Sequence, residues 1–327
     1  MNVQDQPVGR MDVTSTIGIA FNRSIRMMFK PFDVKRWFAL GLIIFLESLV
    51  EGGGGGGMNY SNAFSRGGSG GGMPSMHEIV EKANEGMQWV QDNLALVLGI
   101  AIPVLALALI LTVVVIWLGS RGQMMFIRAV ALEDTRVGEN WNQTQERASS
   151  LFKFRLVYGA IALVIGWGTI LAVLAIVWRL LKAENTNIGD YALQALPILG
   201  VGIVLGILLG LVGSLLRNFV APLMFHFDLS CTDAWRKFSP IAKANIGPIV
   251  IFLVLRLLIG ILGGIAAVVV TLLTCCIGGL PVLHQAVMSP YYLFDRAWSL
   301  YALGTLGPEF VMVKEPAPAS PEPWAAG

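Results

Sequence analysis

Residues 94–118 read LALVLGIAIPVLALALILTVVVIWL, twenty-five consecutive positions without one ionisable side chain. At 1.5 Å per residue a helix of that length reaches about 38 Å, enough to cross a hydrocarbon core of about 30 Å. A helix apolar all round is a buried core element or a membrane span. Working outward, further apolar blocks fall at 37–50, 157–178, 196–216, 248–273 and 277–294, separated by charged connectors. The first is short and interrupted by Glu47, and the last is the least apolar. The fold class that follows is all-α, a polytopic transmembrane bundle of six helices.

Composition points the same way. The chain is 55% hydrophobic and only 13% charged, with a mean hydropathy of +0.68; soluble domains carry about a quarter charged residues to face water. A net charge of +2 with no basic patch gives no reason to expect nucleic acid as a partner. The expected partners are membrane lipids, other membrane proteins or a second copy of the chain. Cys231, Cys275 and Cys276 are too few for a disulfide framework, and His77, His226 and His284 show no metal-ligand spacing with them. No metal and no cofactor are expected. The N-terminus lacks an apolar h-region with a cleavage site, so no signal peptide is expected.

Orientation is read from Lys and Arg in the connectors. Six precede the first block, six lie in the second connector, four in the fourth and two follow the last block. Against these eighteen stand Arg66, Lys82, Arg179 and Lys182 on the other side, with Arg256 inside a block. This bias predicts an even number of spans, with both termini in the cytoplasm. Residues 1–13 read as a flexible N-terminus and 14–311 as the six-helix domain. Within it, the glycine-rich stretch 52–72 forms an outer loop of tether composition, and 312–327 is a disordered Pro/Ala tail. A short amphipathic helix is expected at 77–92, outside.

An internal repeat is also legible. Stretches starting at Ala20-Phe21, Asn140-Trp141 and Ala234-Trp235 carry Met28, Ala148 and Ala242 seven positions after the aromatic, and Phe32, Phe152 and Ile246 eleven after it. Those spacings return to one helical face. With Arg23, Arg26 and Lys30 opposite in the first copy, the pattern predicts amphipathic helices lying in the headgroup plane, or linker helices packed on the bundle. Met125-Phe126, Met224-Phe225 and Leu293-Phe294 close the outgoing spans. The reading is three units, each an interfacial helix plus a hairpin. Helix packing is expected at small residues: Gly202, Gly206, Gly210 and Ser214 in one block, Gly260 and Gly264 in another. Such rows serve either contacts within the chain or a homodimer face.

The run Pro31-Phe32-Asp33 with Lys35-Arg36-Trp37-Phe38-Ala39-Leu40-Gly41, the glycine tract after it, Arg121-Gly122 with Phe126, and Leu306-Gly307-Pro308-Glu309-Phe310 resemble an uncharacterised family of bacterial six-helix inner-membrane proteins. More distantly, the plan is similar to the membrane domain of some glycerophosphodiester phosphodiesterases. The resemblance covers about residues 14–311. It implies a six-helix fold and no established activity; the phosphodiesterase catalytic barrel is absent.

Charges within spans are the default functional candidates. Glu47 and Arg256 fall at similar depth, which permits a structural pair or a substrate or proton site; His284 is the third candidate polar residue. No nucleophile-elbow, zinc-binding or phosphate-loop pattern is found, so no enzyme is expected. The function expected is a non-enzymatic membrane protein that organises lipids or partner proteins. The alternative is a transporter or permease for a lipid or apolar small molecule, which Pro103, Pro197 and Pro281 would suit.

Overall fold

The computed structural model describes residues 9–30, 33–51, 88–182, 188–273 and 282–314, with isolated positions 82, 85, 86 and 280. The glycine tract, half of the outer amphipathic stretch at 77–92, Cys275, Cys276 and the tail beyond Lys314 lie outside them. Every regular element among the described residues is helical. The chain is all-α, and four helices are long and apolar enough to cross a membrane: Leu94–Leu132, Gln145–Arg179, Leu193–Phe227 and Ile246–Leu273.

In chain order the helices are α1 (Thr16–Phe29), α2 (Val34–Glu51), α3 (Leu94–Leu132), α4 (Val137–Gln143), α5 (Gln145–Lys182) and α6 (Ile188–Leu215). A π-helical turn, Leu216–Val220, leads from α6 into α7 (Ala221–Phe227). Then follow α8 (Cys231–Ala244), α9 (Ile246–Leu273), α10 (Leu283–Val287) and α11 (Ser289–Gly304). The chain divides into two compact units. One comprises Met1–Ser48, Gly119–Leu151 and Leu215–Gly327; the other comprises Leu49–Leu118 and Phe152–Ser214.

The first unit is built around α11. Alongside it, antiparallel, runs α9: Tyr291 meets Gly263, Asp295 meets Arg256 and Trp298 meets Phe252. Phe219, Phe238, Phe252, Phe294 and Trp298 form a continuous aromatic core with successive centroids 4.5–5.9 Å apart. On another side α1 packs along α11, and the Trp298 indole donates to the Val13 carbonyl at 2.9 Å. Met11 and Val13, within the stretch read as a flexible N-terminus, are buried, and Met11 N–H donates to Asn245 Oδ1 at 2.8 Å. Met312 and Val313, at the start of the stretch read as a disordered tail, are buried as well.

The sixth block is therefore placed differently from its hydropathy. The helix that runs beside α9 is α11, about ten residues beyond the apolar maximum, and its buried face carries Asp295, Arg296, Phe294 and Trp298 among the aliphatic Leu293, Leu300 and Leu303. The helix α2 is likewise not among the four long apolar helices. Leu40, Ile43, Ile44 and Glu47, at helical spacing, are buried within the first unit.

Inward-facing residues also revise the reading of α1. Met28 and Ala148 are buried in protein, as is Arg23, while Phe21 is 55% exposed. Arg23 donates to the carbonyls of Val130 and Ala131 at 2.8 and 3.3 Å, capping the C-terminal end of α3, where a cation is favoured by the helix dipole. It also pairs at 3.2 Å with Glu133, which leaves α3 in the left-handed region at φ 55°. Five of the eighteen cations counted toward orientation (Arg23, Arg121, Arg155, Arg217 and Arg296) are thus buried side chains with interactions inside the protein.

The second unit holds the lipid-like surface. Side chains along 94–118 of α3 and most of α5 and α6 point outward. Here α5 and α6 meet where Tyr158 Oη donates to the Leu209 carbonyl at 2.6 Å and Gly202 faces Thr169. A Cβ at Gly202 would lie 2.6 Å from the Thr169 methyl, whereas at Gly206 or Gly210 it would meet nothing within 4 Å. The expected continuous row at 202–214 is a tight contact at its first glycine, with open space at the next two.

One glycine carries more of the packing than sequence alone shows. A Cβ at Gly122 would lie 2.4 Å from the Glu47 backbone nitrogen and 2.6 Å from Leu46 Cβ, so α2 and α3 touch backbone to backbone there. We expect Gly122→Ala to destabilise the detergent-solubilised protein by at least about 1–3 kcal/mol through overpacking. Gly206→Ala, with room for its methyl, should be neutral or gain up to about 1 kcal/mol. Thermal unfolding of the two variants side by side checks the difference.

Candidate functional site

The strongest concentration of buried charge lies in the first unit, on α2, the π-helical turn, α9 and α11. Arg256 of α9 grips Asp295 of α11 bidentately, Nε to Oδ1 at 2.8 Å and Nη2 to Oδ2 at 3.1 Å. Arg217 of the π turn also reaches Asp295 Oδ2, at 2.9 Å, and turns its Nε toward Glu47 Oε1 at 3.4 Å. Arg296, one residue beyond Asp295, donates from Nη2 to the same Glu47 oxygen. Two carboxylates and three guanidiniums thus form one network.

Local backbone chemistry explains why Arg217 can join it. In the π turn the Ala221 N–H reaches back five residues to the Leu216 carbonyl. The next residue along that ladder is Pro222, which has no N–H to give the Arg217 carbonyl. That carbonyl instead accepts Arg296 Nη1 at 2.7 Å and Gln123 Nε2 at 3.3 Å. A π turn is a common device where a helix must present a side chain out of register. Phe126 lies under the Arg296 guanidinium, 5.6 Å from its ring centroid, so one face of that cation sees an aromatic ring.

The sequence candidates fall into this arrangement unevenly. Glu47 and Arg256 belong to the same network, joined through Asp295 and Arg217. Their expected direct pair is replaced by a bridge, because each has a nearer opposite charge. His284 is buried on α10, beside Gln285, whose amide donates to Ser48 Oγ on α2 at 3.5 Å. Among the small residues, Tyr291 packs hardest on Gly263, where an added Cβ would lie 2.7 Å from the ring, and more loosely on Gly260 at 3.8 Å. The close approach described in α9 falls at Gly263, with Gly260 in ordinary contact with the same tyrosine. Ser214 lies half-buried near the end of α6.

Arg217 and Arg296 follow the ends of apolar blocks and so count as connector cations, while Asp295, just past the last block, falls outside the search for charges within spans. A signal was present: Asp295-Arg296 stands between Leu293-Phe294 and Ala297-Trp298, where a solvent-facing turn would not be so apolar. Of the three pairs read as closing outgoing stretches, Met125, Phe126, Met224 and Leu293 are fully buried in this unit, Phe294 is 9% exposed and Phe225 is half-buried.

A second polar cluster closes α7. Here Lys237 of α8 places its ammonium 3.2 Å from the Phe227 ring centroid and 5.8 Å from that of Phe310. Burial lowers the Lys237 pKa from its ordinary value, and Glu309 partly restores it. The ring Nε2 of His226 lies 2.7 Å from the Glu309 carbonyl, and Asp228 pairs with Arg147 at 2.5 Å. These contacts tie the Pro308–Phe310 turn and α5 to the end of α7. Among the described residues no group of three or more His, Cys, Asp or Glu is arranged to hold a metal ion.

An all-α chain with four helices fit to cross a bilayer, and a buried ion network beside one of them, is the architecture of an integral membrane protein. The chain belongs to DUF7544, a family of unknown function, which it matches over residues 11–313. No curated protein and no solved structure matches it. Nothing in the family assignment connects the chain to the glycerophosphodiester phosphodiesterases.

The network makes a clear energetic prediction. Removing one partner of a buried ion pair leaves an uncompensated charge and typically costs about 3–5 kcal/mol. Asp295→Asn removes the bidentate partner of Arg256 and one of the two carboxylates of Arg217, and should be the most damaging single change, with Glu47→Gln next. The double variant should cost more than the two singles combined, because each single leaves Arg217 one carboxylate and the double leaves it neither. A double-mutant cycle of unfolding free energies measures that coupling; simple additivity would mean the carboxylates act separately.

Proposed function

We propose that this chain is a non-enzymatic, multi-pass protein of the bacterial inner membrane that organises lipids, or partner proteins held among them. The observation carrying this reading is an open groove of about 430 Å³ between α5 and α6, lined by Val164, Ile165, Gly168, Thr169, Pro197, Ile198, Val201 and Leu205. Its volume is that of a small-molecule site, within the usual range of about 300–1,000 Å³. Its lining is almost wholly apolar, and it opens on helices whose outward surface is aliphatic. The chemistry that fits such a groove is an acyl chain.

Six crossings with both termini in the cytoplasm arise when α2 and the α10–α11 return accompany the four long helices. The excess of Lys and Arg on one side of the connectors supports that orientation. In this arrangement α1 precedes the shorter α2, while the stretch around 140–152 and α8 each lead into a long helix, in keeping with three units of amphipathic helix plus hairpin.

A transporter of lipid or another apolar molecule is the second reading. The π turn with Pro222 favours it, since interrupted helices line sites in transporters. Extraction of the full chain into native nanodiscs, followed by mass spectrometry of retained lipids, tests the first reading. Gly168→Leu fills the groove and should retain less lipid than the parent at unchanged thermal stability. Equal lipid retention by both would remove the groove as the reason for it. Lipid movement across reconstituted vesicles, lost in the same variant, would favour transport over organisation.

A further inference from the structure

The segment that precedes α1 is pinned at several points. Asn245, which caps the end of α8, accepts the Met11 N–H at 2.8 Å and donates from Nδ2 to the Gly9 carbonyl at 3.4 Å. The Asp12 N–H donates to Thr305 Oγ1 at 2.9 Å, and the Val13 carbonyl takes the Trp298 indole. Held this way, residues 10–14 line a cavity of about 450 Å³ together with Pro248 and Ile251 of α9. Unlike the aliphatic groove between α5 and α6, this cavity is bordered by two opposite charges, Arg10 and Asp12.

The carboxylate is set in place by its own turn. Oδ1 of Asp12 accepts the Thr14 and Ser15 N–H groups at 3.1 Å each and the Thr14 hydroxyl at 3.2 Å. Hydrogen bonds from Ser15 first, and then from Thr14, hold the Asp12 pKa below its ordinary value, so the group is ionised at neutral pH. These turn bonds use Oδ1, and Oδ2 keeps its capacity to accept.

The cavity adjoins the first turns of α9, where aliphatic surface begins. Ile251, Val254 and Leu258 are each about half exposed, and their spacings of three and four keep them on one face. A ligand matched to this site is amphiphilic, with both charges at one end and an alkyl chain leaving along the helix. A guanidinium suits phosphate oxygens. A carboxylate oxygen suits N–H donors, which a primary ammonium has and a quaternary one lacks.

We propose that this cavity binds a phospholipid whose zwitterionic headgroup ends in a primary ammonium. Arg10 takes the phosphate, Asp12 Oδ2 takes the ammonium, and one acyl chain follows Ile251, Val254 and Leu258. The proposal rests on the membrane reading above and names a lipid class at a place apart from the groove.

The test uses the full chain purified in a neutral detergent. Its unfolding temperature is followed as phosphatidylethanolamine, phosphatidylcholine or soluble phosphoethanolamine is added. The ethanolamine lipid should raise the parent's unfolding temperature more than the choline lipid at equal mole fraction. Asp12→Asn keeps an oxygen for the turn but loses the charge, and should respond to the two lipids alike. Arg10→Gln should need about three- to tenfold more of either lipid for half the effect, as expected for a charge-assisted contact made by an exposed side chain. Equal responses of the parent to the two lipids overturn the proposal, whether or not Asp12→Asn folds. So does a folded Asp12→Asn that keeps the ethanolamine preference. Soluble phosphoethanolamine acting as well as the lipid at equal concentration would overturn the acyl-chain contact along α9. Gly168→Leu alters a groove in the other unit and should leave the ethanolamine preference intact, so the two readings fail separately.

Discussion

A charge carried into an apolar assembly must find its partner inside the protein, because water is not there to solvate it. Glu47 on α2, Arg217 on the π turn, Arg256 on α9, and Asp295 and Arg296 on α11 answer that constraint together. Each carboxylate receives two guanidiniums, and one of these, Arg217, serves both. The elements that carry them are far apart in sequence, from residue 47 to residue 296. Satisfying the charges therefore fixes how α2, α9, α11 and the end of α6 stand against one another within their unit.

Close backbone approach is what lets those short ionic side chains reach. Gly122 allows α3 to touch the backbone of α2 at Glu47. Gly41 does the same for α2 against Ala286, where an added Cβ would lie 2.7 Å from the alanine methyl. Gly263 admits the Tyr291 ring one turn from the Asp295 contact. Apolar surface gains little from burial against neighbours in lipid, so small residues and polar pairs take over the task that a hydrophobic core performs in water. The aromatic stack from Phe238 to Phe294 then fills the remaining space in the unit.

Polar chemistry and exposed aliphatic surface are segregated along single helices. In α3, residues 94–118 face outward while those from Gly119 to Ala131 are buried among α1, α2 and their neighbours. The helix α6 and its continuation make the same change near Leu215, where the π turn begins. The 39 residues of α3 would extend about 58 Å, roughly twice the hydrocarbon thickness, so each long helix has length to spare beyond its span. The surplus is where the charged residues gather.

Much of the fold was legible in the sequence by itself. Four apolar blocks announce their helices because hydropathy over about twenty residues is a local property. Glu47 and Arg256 announced themselves as misplaced charges for the same reason. The sequence could not decide which cations were connectors and which were buried, since Arg23, Arg217 and Arg296 differ from exposed arginines only in what surrounds them. Nor could it place the helix that packs along α9, because α11 sets Asp295 and Arg296 into a buried face that also holds Leu293, Leu300 and Leu303, and the charges mask its hydropathy. Tertiary structure also decided that Gly202 is a contact while Gly206 and Gly210 are open, although all three share one spacing. Periodicity places residues on a face of a helix, and only the partner helix determines which part of that face is covered.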